Sequence, residues 1–482
     1  MWLLLASSAQ ATVPDLYGTG GWSMGAGTGG ASIVVDGAAA RLNPAGLNGI
    51  DEPEIALGFS AALPSLLPVP DLWWDTDRDG VVTSADPPLA WELPVEDAIG
   101  LHLNGGRDVG GRFGIGFSVY VPANRLLQFA AVEPELPTWF QYGHRQERFA
   151  LAVGLGGEVL PGFSVGASVD VIAAARVTLY ATLDATIDAG GVTTGDTVSD
   201  LVGEVVLDVH DITFEVVPDY APIIGAVWDL GPIVPALEGL RLAGTWRGSA
   251  GLLIAADLDV QANVAASGIG DLDPFVFAAL LDLGVSVQDH YVPGQAVFSI
   301  GYARPGGRVY AEGRWTAWER MQLNVARIDG LDLTSPLVDI DDKVVDGSAY
   351  SALFASVLGG RAGGELLLPP IPVGGRADSL TFIVRGGGGF EPSPLVDQSA
   401  SSAILDADRV FGTAGLGLRH GDPFALVQGP VHHDLAFQYH HLARGALERS
   451  SDVPTAGYPV DADSLPIGGH VIVLMAEVGF AY

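Results

Sequence analysis

Hydrophobic and polar residues alternate along several stretches of the chain. Between positions 112 and 121, phenylalanine, isoleucine and valine occupy every second position, and arginine, glycine, serine and tyrosine occupy the others. The same period of two recurs at 240–252, 308–317 and 434–439. Because successive side chains of a strand point to opposite faces, each stretch predicts a strand with one apolar face. About ten residues is the length of a tilted strand that crosses a membrane's hydrocarbon layer.

A soluble sandwich and a membrane barrel would both produce this alternation, so the last strand is informative. There Ile472, Leu474 and Phe480 lie on one predicted face, and the sequence closes on Tyr482. Outer-membrane barrels characteristically end on an aromatic residue, which the barrel-assembly machinery recognises. We therefore favour an all-β transmembrane antiparallel barrel over a sandwich.

Similar segments from residue 54 to the end indicate about fourteen strands, and closed bacterial barrels use an even number. In the first of them, Ile55, Leu57, Phe59, Ala61 and Leu63 share one predicted face. If the preceding residues are periplasmic, this strand runs outward. The segment 64–97 is then predicted to be extracellular.

The composition of the chain limits the kinds of protein that it can be. The 65 glycines, 48% hydrophobic content and 17% charged content fit strands in an apolar medium joined by tight turns. The most apolar candidate for a spanning helix, 221–240, contains three prolines and two acidic residues, so we reject it. A net charge of -34 argues against binding to nucleic acid, and the absence of cysteine excludes thiolate chemistry.

Residues 1–11 form a short apolar run that ends in Ala9-Gln10-Ala11, the small-x-small form of a signal-peptidase site. This pattern predicts a signal peptide and export. A basic region before the apolar run is missing, so a buried first strand remains the alternative.

An acidic segment at 75–86 has the spacing of a calcium loop. Three carboxylates can converge on one hard cation there, while Gly80 makes the sharp turn. The predicted ligands are Asp75, Asp77, Asp79, Val81, Thr83 and Asp86. Asp86 replaces the usual glutamate, and two prolines follow it, so a helix-flanked hand is not expected. A structural Ca²⁺ ion is the one predicted cofactor, and an acidic turn without an ion is the alternative.

Several strings resemble catalytic motifs. G-x-S-x-G occurs at 21–25 and at 162–166, but a nucleophile elbow needs a strand, a turn and a helix around the serine. Neither position predicts that context, and with 65 glycines such matches arise by chance. The histidines at 432, 433, 440 and 441 suggest a metal, yet strand neighbours point to opposite faces and cannot share one coordination shell. We predict that the chain is not an enzyme.

Arginines on the predicted polar faces are candidates for contact with a substrate carboxylate, since Lys and Arg together number only 23. They are Arg241, Arg247, Arg308, Arg314 and Arg385. The alternative, which we favour for any single arginine, is an internal ion pair such as that of Glu312 with Arg314.

Motifs along most of the chain resemble one known family. Near the N-terminus, Gly30-Ala31, Asp36 and Asn43-Pro44-Ala45-Gly46-Leu47 are similar to a glycine-alanine, aspartate and NPAGL signature. GYARP at 301–305, RWTAW at 314–318, the run from Arg385 to Pro394 and DADR at 406–409 follow in the same order. Together they resemble the FadL-type outer-membrane transporters of hydrophobic compounds. Departures include Leu405 in place of a proline, Glu391 after Phe390, and the calcium-type loop.

The resemblance implies a fourteen-stranded barrel at 54–482, plugged by an N-terminal hatch at 12–53, in the bacterial outer membrane. Such proteins carry long-chain fatty acids or other hydrophobic molecules passively and release them sideways through a gap in the wall. Carried over, Asp36 and Asn43-Pro44-Ala45-Gly46 would form the hatch and exit motif. Expected partners are outer-membrane lipid and lipopolysaccharide, the hydrophobic substrate and the assembly machinery, with the chain as a monomer.

Two other functions remain open at this point. One is a related barrel that binds secreted proteins or organises the cell surface without transport. The other is a surface hydrolase that uses Ser23 or Ser164.

Overall fold

The computed structural model describes residues 12–69, 72–73, 87–89, 95–123, 137–139, 141–142, 148–188, 202–267, 275–319, 321, 327–334, 339–340, 353–374, 379–397, 404–422, 429–448, 458–459 and 464–482. The predicted signal peptide at 1–11 and the calcium-type loop, with Asp75, Asp77, Asp79, Val81, Thr83 and Asp86, lie outside these residues. Both stay predictions.

Fourteen strands among the described residues form one closed antiparallel barrel, which confirms the predicted fold class and strand number. In chain order they are β1 Glu54–Leu66, β2 Ala98–Val109, β3 Phe113–Pro122, β4 Ala150–Leu160, β5 Phe163–Asp188, β6 Val202–Asp229, β7 Leu240–Arg247, β8 Gly294–Arg304, β9 Gly307–Ala317, β10 Val357–Leu367, β11 Ser379–Glu391, β12 Arg409–Gly421, β13 Pro430–Glu448 and β14 Ser464–Ala481. Each strand pairs with the next, and β1 closes the barrel on β14 with Glu54 opposite Ala481.

The predicted alternation is present in the barrel wall. On β3, Phe113 is 53% exposed on the outside, whereas Ser118 is 3% exposed on the inside. On β14, Leu474 faces outward and Val473 inward. The outer surface is therefore an apolar band, as a strand in contact with lipid requires.

The two ends of the barrel differ in their connections. We call the end where β1 begins and β14 finishes the turn end. Short turns join strands there, such as 110–112 and 161–162, where Gly110, Gly111 and Gly162 have positive φ angles. At the opposite end, which we call the loop end, the connections are long and include 67–97, 123–149, 248–293 and 318–356.

Shorter elements extend the loop end. A hairpin of Ala250–Ser267 and Phe275–Val292 adds to the sheet, and Arg327–Thr334 and Asp339–Ile340 continue it. Small pairs join Leu72–Trp73 to Pro88–Leu89 and Tyr458–Pro459, Thr138–Trp139 to Ile404–Leu405, and Leu353–Phe354 to Leu395–Asp397. At the turn end lie Ile371–Pro372 and the 3₁₀ helix Pro235–Leu237.

Residues 12–50, called here the N-terminal segment, pack against the inward faces of the strands. The segment contains α1 Val13–Tyr17, α2 Gly20–Gly25, α3 Ala39–Leu42 and a 3₁₀ helix Pro44–Gly49. Nearly all of its residues are buried. No helix among the described residues is both long and apolar enough to cross a membrane.

Candidate functional site

A row of four glycines on neighbouring strands underlies the Asn43-Pro44-Ala45 motif. Gly114, Gly156, Gly166 and Gly225 stand opposite one another on β3, β4, β5 and β6, and we call them the glycine row. A Cβ atom added at Gly166 would lie 2.3 Å from the carbonyl carbon of Pro44, and one at Gly114 would lie 1.9 Å from the carbonyl oxygen of Leu47. The backbone of 43–47 therefore rests directly on the wall, where no side chain fits.

Asn43 fixes the start of this motif. Its Oδ1 accepts a hydrogen bond from the Ala45 N–H at 3.1 Å, which caps the 3₁₀ helix. Its Nδ2 donates to the carbonyl oxygens of Ala31 at 2.8 Å and Ala226 at 3.3 Å. One amide thus links two parts of the N-terminal segment to β6.

The structure brings Asn43, Pro44, Ala45 and Gly46 together but places Asp36 elsewhere. Asp36 lines a cavity at the turn end and accepts a hydrogen bond from the Ala38 N–H at 2.9 Å. Burial raises the pKa of Asp36, and the positive charge of Arg308 counteracts this. Asp36 thus belongs to a different environment from the residues on the glycine row.

On the opposite side, charged side chains hold the N-terminal segment. Glu365 accepts hydrogen bonds from Arg308 Nε at 2.7 Å and from Arg385 Nε at 3.0 Å, and Arg385 also pairs with Asp434. Arg308 donates in addition to the carbonyl oxygen of Ile33 at 2.8 Å. This chain of ion pairs runs across β9, β10, β11 and β13 and ends on the segment's backbone.

A second group of charges lies farther along the same strands. Glu391 pairs with both Arg361 and Arg409, and Arg361 Nη1 donates to the carbonyl oxygen of Thr28 at 2.9 Å. Glu312 accepts hydrogen bonds from the Gly30 N–H at 2.9 Å and the Ala31 N–H at 3.2 Å. Backbone groups of the segment are thereby satisfied by side chains of the wall.

A third group surrounds Asp15 in α1. Asp15 pairs with Arg41 at 3.1 Å and with Arg247, and Arg41 also reaches Asp170 at 2.8 Å. Burial alone raises the pKa of Asp15, but the guanidinium groups of Arg247 and Arg41 together hold it well below its usual range. The carboxylate is therefore ionised at neutral pH, and its charge is compensated inside the barrel.

Each of the five predicted substrate-contact arginines, including Arg308 described above, has a carboxylate of the chain within 4 Å. Arg241 meets Asp229 at the turn end, where both side chains are partly exposed. Arg247 and Arg385 are buried in the groups described above. Arg314 has the longest pairing distance of the five, 3.7 Å to Glu312, and its Nε is buried without a hydrogen-bond partner among the described residues. Contact with a substrate stays a prediction.

An apolar cluster fills the interior between the N-terminal segment and the loop end. Its largest buried members include Tyr17, Tyr120, Trp139, Tyr142 and Leu405, and the ring centroids of Trp139 and Tyr142 are 6.0 Å apart. Beside it, a cavity of about 40 Å³ is lined by Arg314, Arg409, Tyr142 and Trp318 among others. This volume holds a water molecule or two, so a larger ligand needs these side chains to move.

The serines of the two G-x-S-x-G strings lie inside a strand and a helix. Ser164 lies within β5 and accepts a hydrogen bond from Asn48 Nδ2 at 3.2 Å, and Ser23 lies within α2. Neither occupies a turn between a strand and a helix, as a nucleophile elbow requires.

Sequence reasoning missed the glycine row and most acidic partners of the arginines. Asp170, Glu365 and Asp434 all occupy inward positions of alternating strands, so a search for acidic residues on the polar face would have found them. The glycine row has no comparable signal, because its members are far apart in sequence and only strand pairing aligns them.

Comparison with solved structures supports the fold. A Pseudomonas aeruginosa FadL homologue aligns at 14% identity over 99% of this chain and 99% of that chain, with a TM-score of 0.52. The Pseudomonas putida toluene transporter TodX aligns at 13% identity over 97% and 99%, with a TM-score of 0.48. The Ralstonia pickettii toluene transporter TbuX aligns at 13% identity over 97% and 99%, with a TM-score of 0.46. No family model and no curated protein matches the sequence.

Proposed function

We propose that this chain is a bacterial outer-membrane channel for hydrophobic small molecules, with long-chain fatty acids as the substrate class to test first. The observation that carries the proposal is the apolar cluster inside the barrel. Barrels that pass polar solutes have polar, water-filled interiors. Here aromatic and aliphatic side chains such as Trp139, Tyr142 and Leu405 are buried on the inside as well.

Such an interior suits passive movement of an alkyl chain. Each methylene group that moves from lipid into water costs about 0.8 kcal/mol, so a sixteen-carbon tail in an aqueous pore would cost roughly 12 kcal/mol. An apolar route that ends in the bilayer avoids most of this cost. The substrate's concentration gradient then suffices to drive transport.

The exit in this proposal lies at the glycine row. The wall beneath Asn43, Pro44 and Ala45 consists of glycines, so displacement of 43–48 uncovers mainly backbone and leaves a channel next to β4 and β5. In the next step of this proposal, the substrate leaves that channel sideways and enters the bilayer. Arg314 is the arginine best suited to hold a substrate carboxylate on the way, because its ion pair is the longest and it borders the small cavity.

The orientation follows from the connections. Outer-membrane barrels have short turns on the periplasmic side and long loops outside, so the loop end faces the environment. The apolar band contacts outer-membrane lipid and lipopolysaccharide, and the barrel-assembly machinery inserts the chain as a monomer.

Uptake of labelled oleate by a transporter-deficient host tests the function. Expression of the chain should raise uptake above the vector control. Uptake equal to vector would contradict transport and favour a barrel that binds proteins or organises the surface.

A reversible lock tests the exit, since the chain contains no cysteine. The contact between Asn48 and Ser164 permits the double variant N48C/S164C, which ties the 3₁₀ helix to β5. Oxidation should reduce uptake to the vector level, and a reductant should restore it. The matched control is S32C/S299C, where the two Oγ atoms are 2.8 Å apart on the other side of the segment. Equal uptake by both oxidised variants would contradict the proposed exit.

A further inference from the structure

Three potential metal ligands meet on the inner wall near the turn end. His432 and Asp434 lie two residues apart on β13, so both point inward, and Asp434 stands opposite Glu477 of β14. One ligand atom from each residue lies within 4.8 Å of the others. The group is separate from the apolar cluster and from the glycine row.

One oxygen of this group lacks a hydrogen-bond partner within the part of the chain that the structure describes. Glu477 is 9% exposed, and its Oε2 is buried without a hydrogen-bond partner among the described residues. Its other oxygen, Oε1, accepts a hydrogen bond from the Gly21 N–H of α2 at 3.0 Å. Likewise Arg385 binds Oδ1 of Asp434, which leaves Oδ2 for a further partner. Two oriented carboxylates thus each offer one oxygen.

The imidazole of His432 is held in place by a glycine. Its cross-strand partner is Gly479, and a Cβ atom added there would lie 2.0 Å from Cε1 of the ring. Any side chain at Gly479 would therefore displace the ring from the two carboxylates.

Acidic side chains outnumber basic ones around the group. A cavity of about 410 Å³ adjoins the group, and seven carboxylate side chains and three arginines are among the residues that line it. The excess favours a cation, and the cavity gives it a route from the turn end.

We propose that His432, Asp434 and Glu477 bind a divalent transition-metal ion, of which Zn²⁺ is the representative. One imidazole nitrogen and two carboxylate oxygens are ligands that zinc accepts, with water completing four-coordination. Calcium is disfavoured because it takes oxygen ligands in greater number. Arg385 and the Gly21 N–H bind the other oxygens of these two carboxylates and thereby orient them towards the ion.

The ion would also connect the wall to the N-terminal segment, since Glu477 contacts the backbone of α2. Strand alternation rightly separates His433 and His441 from His432. The other two ligands are Asp434, on the same face of β13, and Glu477, on the neighbouring strand. A search for clustered histidines does not find them.

Zinc titration of the purified full-length chain in detergent, after removal of metal with EDTA, tests the proposal. Wild type should bind one tight equivalent of Zn²⁺. In H432A and E477Q the affinity for this Zn²⁺ ion should fall by more than about 100-fold. This exceeds the loss expected when a residue that only orients a metal ligand is removed. H433A is the matched control, because His433 is adjacent but faces outward, and it should bind like wild type. Heat-modifiable migration checks that each variant is folded.

Equal binding by wild type, H432A and E477Q would overturn the proposal and place any zinc elsewhere, for instance in the acidic segment 75–86. X-ray absorption at the zinc edge of wild type provides a test that needs no variant. One imidazole nitrogen among oxygen neighbours is expected, and a shell of oxygen alone would overturn the assignment. Neither result depends on uptake, so the proposed transport is tested separately.

Discussion

The N-terminal segment meets the barrel wall in two contrasting ways. Strands β9 to β14, the charged half, hold it through buried ion pairs and through side-chain hydrogen bonds to its backbone, such as those from Arg308 and Arg361. Strands β3 to β6, the glycine half, meet Asn43 to Leu47 mainly through glycines. Residues 43–47 thus lie on a smooth surface on one side, with Arg41 just before them paired to Asp170 of β5, and the segment is fastened on the other side.

The difference has an energetic consequence. Moving the segment away from the charged half would leave buried charges without partners, which costs about 3–5 kcal/mol for a pair broken on one side. Moving residues 43–48 off the glycine row separates mainly backbone from backbone and breaks few hydrogen bonds, such as those of Asn43 with Ala226 and of Asn48 with Ser164. We infer that the charged half is the anchor and the glycine half is where the segment moves.

Loss of Arg385 should have the largest effect. The variant R385M leaves Asp434 without its guanidinium partner and removes one of two partners from Glu365. We expect the free energy of unfolding, measured by urea titration in lipid vesicles, to fall by about 3–5 kcal/mol. The control R241M breaks a partly exposed pair with Asp229 and should cost less than about 1 kcal/mol. Equal losses would remove the distinction between anchor and surface.

The Asp15 group, which ties α1 and Arg41 to β5 and β7, is a further anchor and should make the anchoring depend on pH. Because the folded-state pKa of Asp15 is lowered from 3.8, its carboxylate contributes stability above that pH and loses it as pH falls towards the folded-state value. D15N should therefore cost about 3 kcal/mol at neutral pH, and its difference from wild type should shrink between about pH 4 and pH 2. D108N, at an exposed turn, is the control and should match wild type throughout. A difference independent of pH would contradict this account.

Filling the glycine row should have a smaller and local effect. In G225A the new Cβ would lie 1.9 Å from Oδ1 of Asn43, so the motif has to shift. We expect a loss of about 1–3 kcal/mol, together with faster proteolysis within the N-terminal segment. G412A, which has open space around its Cβ position, is the control. A stable, protease-resistant G225A would show that close approach is not needed there.

The sequence predicts the barrel because alternation is a local property of each strand. The outward position of Phe113 or Leu474 can be predicted from its neighbours in the sequence alone. The interior is less accessible to such reasoning. Arg385 was identifiable as an inward cation, but its partners Glu365 and Asp434 lie on other strands, and only the register pairs them. The motif residues Asn43 to Gly46 were found by resemblance. The glycine row beneath them depends on the pairing of four strands, which the sequence does not show directly.

The smallest effect should come from a single hydroxyl of the charged half. Tyr310 donates to the carbonyl oxygen of Ala26 at 2.8 Å and accepts from the Gly29 N–H at 2.9 Å. Y310F leaves both backbone groups buried without this partner, so we expect a loss of about 1–2 kcal/mol in the same urea titration. Y439F removes a hydroxyl from the outer surface of β13 and should change stability by less than about 0.5 kcal/mol. If Y310F lowered the free energy of unfolding as little as Y439F, the hydrogen bonds to the segment's backbone would contribute little. Anchoring would then rest on the ion pairs alone.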